Sequence, residues 1–125
     1  MYFEYSIPSD DYIGSISGHI NLTLESIEFH NYFVHNQRLN DENLNLLKEH
    51  LKSHKFSILM NMEVDEDFRG EGYGTELMDT FINKSNEIIV LIADIQDSPF
   101  LESWYESLGF QTIASHLGFP IMIKL

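Results

Sequence analysis

The sequence reads as a single α/β domain built on a mixed sheet, and three observations carry that reading. Two aliphatic runs, residues 56–64 and 88–93, flank an amphipathic stretch at 74–85. Strand, helix, strand in that order implies parallel strands joined by a right-handed crossover. The link between the first run and the helix, Arg69-Gly70-Glu71-Gly72-Tyr73-Gly74-Thr75, sets three glycines at alternate positions. Two further runs, 110–115 and 120–125, finish the chain as an expected antiparallel pair.

Taken in order, residues 1–36 read as strands and turns. A strand at 2–7 gives way to the turn cluster Pro8-Ser9-Asp10-Asp11. Residues 13–20 alternate apolar with small polar side chains, 22–27 continue the pattern, and 29–34 is expected as a further strand. A helix follows over 39–54. Asn40 can cap it, Leu39 and Leu44 are placed as a hydrophobic staple, and Leu44, Leu47 and Leu51 share one face. The 74–85 helix turns Leu77, Met78, Phe81 and Ile82 inward. A last helix over 99–108 has Pro99 in its first turn and Gly109 as its stop. With no repeat and no linker, residues 1–125 form one domain, divided into a 1–55 half and a 56–125 half.

At 125 residues the chain can bury one core, and 43% hydrophobic content with 13% aromatics marks it as globular. No apolar run reaches the roughly 18 residues of a membrane span, and the N-terminus lacks a basic-then-apolar secretory pattern. The absence of cysteine excludes disulfides, thiolate metal sites and a cysteine-linked acyl-enzyme. A cytoplasmic protein is expected, with neither membrane nor nucleic acid as partner. The formal net charge of −13 repels nucleic acid and attracts cations such as polyamines, aminoglycosides and lysine-rich or amino-terminal peptide segments. It also serves plain solubility.

The glycine segment is the strongest chemical signal. Without Cβ atoms the backbone can approach a phosphate closely, and the helix that follows points free N–H groups and a partial positive charge at it. A phosphate-bearing ligand is therefore the first expectation. A nucleotidase loop would carry Lys followed by Ser or Thr after its last glycine, whereas Gly74 is followed by Thr75 and Glu76. A dinucleotide fingerprint would place its third glycine at position 75, which is Thr, although Asp94 stands where its ribose-binding acid could be. The pattern that fits best is Arg-x-x-Gly-x-Gly, made by Arg69, Gly72 and Gly74.

That pattern resembles the acetyl-CoA-binding loop of the GCN5-related N-acetyltransferases. A second stretch, Trp104-Tyr105-Glu106-Ser107-Leu108-Gly109-Phe110, resembles the same family's other signature, a short helix carrying a tyrosine and closed by Gly-Phe. The two stand in the family's order and separation, and the resemblance covers about residues 56–125. The first 55 residues depart from it. Family members usually open with a strand and two helices before their antiparallel strands, whereas this chain reads as strands followed by one helix. The expected fold is thus a single GNAT-like mixed sheet flanked by helices, with a coenzyme half and a shortened, nonstandard acceptor half.

The resemblance implies direct transfer of an acetyl group from acetyl-CoA to a primary amine within one ternary complex, without a metal. It implies that the backbone of Arg69, Gly70, Glu71, Gly72, Tyr73, Gly74 and Thr75 holds the pyrophosphate, the Thr75 hydroxyl assisting. Arg69 is the main candidate for the 3′-phosphate, with Lys84 more remote. It further implies a bulge in the central strand that splays it from its parallel neighbour. The matching positions are Met62 to Val64, where a free N–H would polarise the thioester carbonyl. Tyr105 falls where the family places the acid that protonates the leaving thiolate; a core aromatic is the plainer alternative. An asparagine that many members use against pantetheine is absent, and Ser98 stands nearest its place. An amine of pKa near 10.4 is neutral to only about one part in a thousand at pH 7, so a base or water chain is needed. Glu63 and Asp94 are the candidates, and alternation along the strand turns Glu63 away from Met62 and Val64. Either carboxylate is equally readable as a solvated surface charge.

His50 and His54 lie four apart on a helix, a metal-capable spacing, but no third ligand accompanies them, so two solvated histidines are expected and no metal. The acceptor is expected to be a cationic small molecule or a protein lysine or amino terminus. A non-catalytic acyl-CoA-binding sensor or interaction module is an alternative, as is a small effector acetylating one dedicated protein target. Acceptor identity and oligomeric state, a homodimer included, are not written in the sequence.

Overall fold

The computed structural model describes residues 1–85, 87–96 and 98–125. Six strands form one sheet in the order β1-β2-β3-β4-β6-β5. They are β1 (Tyr2–Ser6), β2 (Gly14–Leu22), β3 (Phe56–Val64), β4 (Ile88–Ile92), β5 (Phe110–His116) and β6 (Phe119–Lys124). All neighbours are antiparallel except β3 and β4, which run parallel on either side of the crossover helix α3 (Tyr73–Ser85). The remaining helices are α1 (Ile27–Phe29), which runs directly into a π-helical segment (His30–Asn36), α2 (Asp41–Leu51) and α4 (Leu101–Ser107).

The sheet is covered on both faces. On one face α3 and α4 set Leu77, Met78, Phe81 and Tyr105 against Ile16, Ile20, Leu59, Ile89, Leu91 and Met122. On the other face Phe29, Phe33, Leu47 and Leu51 pack on Leu22, Phe56, Ile58, Val90, Ile121 and Ile123. β4 is buried on both sides, which is why its sequence is a continuous aliphatic run rather than an alternating one.

The expected strand at 29–34 is helical instead. Aromatic residues favour strands when considered singly, but Phe29 and Phe33 lie four apart, so one helical face buries both. Their rings pack with centroids 5.2 Å apart, and Phe29 meets Phe56 of β3 edge-on at 5.8 Å. The chain therefore has two helical segments before the central strand rather than one. Helix α2 is shorter than the expected 39–54, starting after Asn40, whose side chain accepts from the Asn43 amide at 2.8 Å. Leu39 is buried and Leu44 half-buried, as a staple requires. Helix α4 begins two residues later than Pro99, because Pro99 and Phe100 form a turn in which the Ser98 carbonyl accepts from Leu101 N at 3.0 Å.

The irregularity that matters for function lies in β3. Asn61 pairs with Ser17 and Leu59 with Gly18, so Met60 is an extra residue bulged out of the ladder. The expected bulge at Met62–Val64 is thus displaced toward the start of the strand, and its cause is Gly18. A Cβ there would lie 2.1 Å from the Ile58 carbonyl oxygen and 3.0 Å from the Phe81 ring, so only glycine lets β2 close against the bulge. The bulge also resets the alternation. Leu59 faces α3 before it, and Met62 and Val64 face α3 after it. On the β4 side, pairing stops at Ile58 with Val90, leaving the rest of both strands to diverge.

Candidate active site

A cleft of about 660 Å³ opens where β3 and β4 separate. Residues 59–64 of β3 form one wall, and Leu91, Ile92 and Asp94 at the end of β4 the other. The glycine loop with the start of α3 forms one end, while Ser98, Phe100, Leu101, Trp104 and Tyr105 close the remaining side.

The loop leaves its backbone open toward the cleft. After β3 a short 3₁₀ turn (Glu66–Phe68), capped by the Asp65 carboxylate on Asp67 N at 3.0 Å, leads to Gly70 and Gly72 at φ of +83° and +87°. Side chains are strained in this left-handed region. A Cβ at either position would meet nothing within 4 Å, so the space beside the backbone is open. The first helical bond of α3 runs from Glu76 N to Gly72 O at 3.1 Å, and the N–H groups of Tyr73, Gly74 and Thr75, which precede it, have no hydrogen-bond partner among the described residues. Arg69 donates from Nε to the Val64 carbonyl at 3.1 Å, which ties the loop to the end of β3. It is the one cation among the described lining residues. Lys84 stands at the far end of α3, its ammonium 6.0 Å from the Phe3 ring centroid, and is no part of the cleft.

Backbone direction in β3 follows from one hydrogen bond. Asp65 N donates to Ile13 O at 2.7 Å, so Asp65, Glu63 and Asn61 turn their polar backbone atoms toward β2. Met62 and Val64 therefore direct theirs into the cleft, where β4 no longer accepts them. Arg69 bonding to the Val64 carbonyl agrees with this.

Tyr105 is 6% exposed and packs edge-on against Phe110 at 5.6 Å. Burial raises its phenol to about 12, so the proton stays on the oxygen throughout the neutral range. The ring belongs to the core, as the plainer expectation has it, and the residue also lines the cleft. Glu63 is exposed, on the sheet face opposite α3, and its Oε1 accepts from the Tyr12 hydroxyl at 2.6 Å. Asp94 is exposed at the end of β4, its Oδ1 accepting from Gln96 N at 3.2 Å. The cleft thus gathers Tyr105, Glu63, Asp94, Met62, Val64, Arg69, Gly70, Gly72, Tyr73, Gly74, Thr75 and Ser98. Of the sequence-expected residues, Glu71 and the remoter candidate Lys84 are not among those lining it.

Met60, Asn61, Phe68, Leu91, Phe100 and Trp104 also line it and were not foreseen as site residues. Trp104 had a signal, since it stands beside Tyr105 in the motif; its ring edge lies 3.8 Å from where a Gly74 Cβ would sit. Phe100, 70% exposed, forms an apolar lip that no local pattern announces. His50 spends its Nδ1 on the Leu46 carbonyl at 3.0 Å. Among the described residues no three metal-binding side chains converge.

A model of the acetyltransferase (GNAT) domain matches residues 12–112. With that match over most of its length, the chain belongs to the GNAT acetyltransferase family. Among solved structures it is similar to the NatC complex bound to Gag peptide and CoA, at 16% identity and a TM-score of 0.60, over 92% of this chain and 62% of that one. It is similar to PaiA N-acetyltransferase of Thermoplasma acidophilum in complex with coenzyme A, at 15% identity and a TM-score of 0.60, over 98% of this chain and 60% of that one. For Arabidopsis thaliana NAA60 in complex with acetyl-CoA the values are 14% and 0.59, over 98% and 73%. These likenesses establish the fold. The chain spans only about three-fifths of the first two, 62% and 60% of their lengths. No curated protein matches it by sequence.

Proposed function

We propose that the protein transfers an acetyl group from acetyl-CoA to the primary amine of a cationic acceptor. One observation carries the reading: parallel strands that part after Ile58 and Val90 open a cleft lined by the glycine loop, by the buried Tyr105 and by the carboxylates Glu63 and Asp94. The fit to the coenzyme rests on the open space beside Gly70 and Gly72 and on the free N–H groups that begin α3. The gap beside β3 suits a pantetheine arm, and acetyl-CoA supplies the activated acetyl carbonyl.

The chain's own residues then divide the work. The amides of Gly70 to Thr75 and the Arg69 guanidinium hold phosphate oxygens. The Met62 or Val64 N–H donates where the carbonyl oxygen gains negative charge, an effect worth roughly 3–4 kcal/mol where one such donor is lost. Glu63 removes a proton from the acceptor ammonium, with Asp94 adding negative potential on the opposite wall. Tyr105 gives its proton to the departing sulfur as the carbon–nitrogen bond forms and the carbon–sulfur bond breaks; the surplus proton of the acylated nitrogen returns through water to the Tyr105 phenolate, and Glu63 releases the first proton to solvent. Glu63 and Asp94 in the cleft, together with the net charge of −13, support a cationic acceptor.

Release of free thiol from acetyl-CoA, followed against polyamines, aminoglycosides and lysine or amino-terminal peptides, tests the reading. Amine-dependent release that saturates in both substrates is expected. Binding of acetyl-CoA without turnover on any amine would replace the enzyme with a coenzyme-binding module.

A further inference from the structure

Resting on the acetyl-transfer reading, we propose that Tyr12 is a positioning residue that fixes the Glu63 carboxylate for the acceptor amine. The two are 51 residues apart in sequence, yet the Tyr12 hydroxyl donates to Glu63 Oε1 at 2.6 Å. Tyr12 has one proton to give. With it spent on Glu63, the 3.0 Å contact to Ser15 Oγ is one in which Ser15 donates and Tyr12 accepts. Ser15 is also the register partner of Glu63 across β2 and β3. Phenol, hydroxyl and carboxylate therefore form an ordered chain with a single direction.

Tyr12 is anchored from below. Its neighbour Ile13 is buried, and the Ile13 carbonyl holds Asp65 N at 2.7 Å, so the loop ahead of β2 is fastened to the end of β3 on which Glu63 sits. Glu63 Oε2 makes no hydrogen bond among the described residues, and the residue lines the cleft. One oxygen is thus held by the protein while the other remains for the acceptor or its bridging water. An exposed glutamate otherwise samples many rotamers, and fixing it takes side-chain entropy. Folding meets that cost here before the substrate arrives, and misplacement of a reacting group by about 1 Å can reduce a rate 10²-fold. Tyr12 is 49% exposed, so its ring adds little to the core, and the hydroxyl is the part whose placement needs a reason.

The test is a double-mutant cycle of Tyr12→Phe and Glu63→Gln, assayed with acetyl-CoA and an amine that the wild type accepts. Tyr12→Phe is expected to lower kcat about 10-fold while KM for acetyl-CoA stays within about twofold, and Glu63→Gln to lower kcat about 10²-fold or more. The double variant should be no slower than Glu63→Gln alone, because Tyr12 acts only through Glu63. An unchanged kcat for Tyr12→Phe, or losses that multiply in the double variant, would overturn the proposal. A fast Glu63→Gln would remove both residues from catalysis and leave acetyl transfer standing. A wild type without turnover overturns acetyl transfer and the positioning role together.

Discussion

Gly72→Ala and Gly118→Ala form a matched pair that separates backbone strain from coenzyme binding. Both glycines sit at φ of +87°, and at neither would a Cβ meet an atom within 4 Å. One lies in the candidate anion seat, the other in the tight turn between β5 and β6, whose residues do not line the cleft. Left-handed strain should therefore weigh on both alike, at about 1–2 kcal/mol. With an unfolding entropy near 2.1 cal/mol/K per residue over a chain of this length, that corresponds to a Tm lower by roughly 4–8 °C in each. Only Gly72→Ala adds a methyl where phosphate oxygens would approach the backbone. Losing one hydrogen bond to a charged group is worth about 1.5–3 kcal/mol, or roughly 10- to 150-fold in Kd. Calorimetry with acetyl-CoA on both variants reads the difference directly. Equal affinities, with equal losses of Tm, would show that the glycine loop is a plain turn and refute the site.

Three further outcomes follow from the geometry. Tyr105→Phe should lower kcat by about 10²–10³-fold and leave acetyl-CoA affinity within twofold, because the ring is kept and only the proton donor is lost; stopped-flow thiol release measures it. The phenol of Tyr105, raised from 10.0 to about 12 by burial, favours the folded state fully below pH 10, and this contribution disappears as pH rises to 12. About 2 kcal/mol should vanish over that interval in urea unfolding, and Tyr105→Phe should lose correspondingly less. Gly18→Ala should destabilise the protein by about 1–3 kcal/mol, because its Cβ would press on backbone at the bulge rather than on a movable side chain. Acetyl-CoA affinity should fall with it, since the bulge sets where β3 leaves β4.

Residues 56–125 were legible because their signals are local. The aliphatic runs, the amphipathic α3, the glycine spacing and the Trp104–Phe110 motif each specify a neighbourhood of chain, and Phe56–Val64 is a strand over the very residues expected. The first half was less legible because its determinants are tertiary. Phe29 and Phe33 bury one helical face against Phe56 of β3, and although their four-residue spacing permits a helix, the aromatic content of 29–34 suits a strand equally well. The bulge at Met60 depends on Gly18, some forty residues earlier, and Tyr12 reaches Glu63 only through β-sheet pairing. Local pattern also could not reveal Phe100 as an exposed lip, since exposed aromatics and buried ones look alike in sequence.

Titration calorimetry of the unmodified protein with acetyl-CoA is the most direct test of the central claim, because it requires no knowledge of the acceptor. One site with a Kd in the micromolar range, about −8 kcal/mol, is expected from the cleft between β3 and β4. No heat of binding up to millimolar acetyl-CoA would contradict the assignment of that cleft to the coenzyme, and the acetyltransferase reading would fall with it.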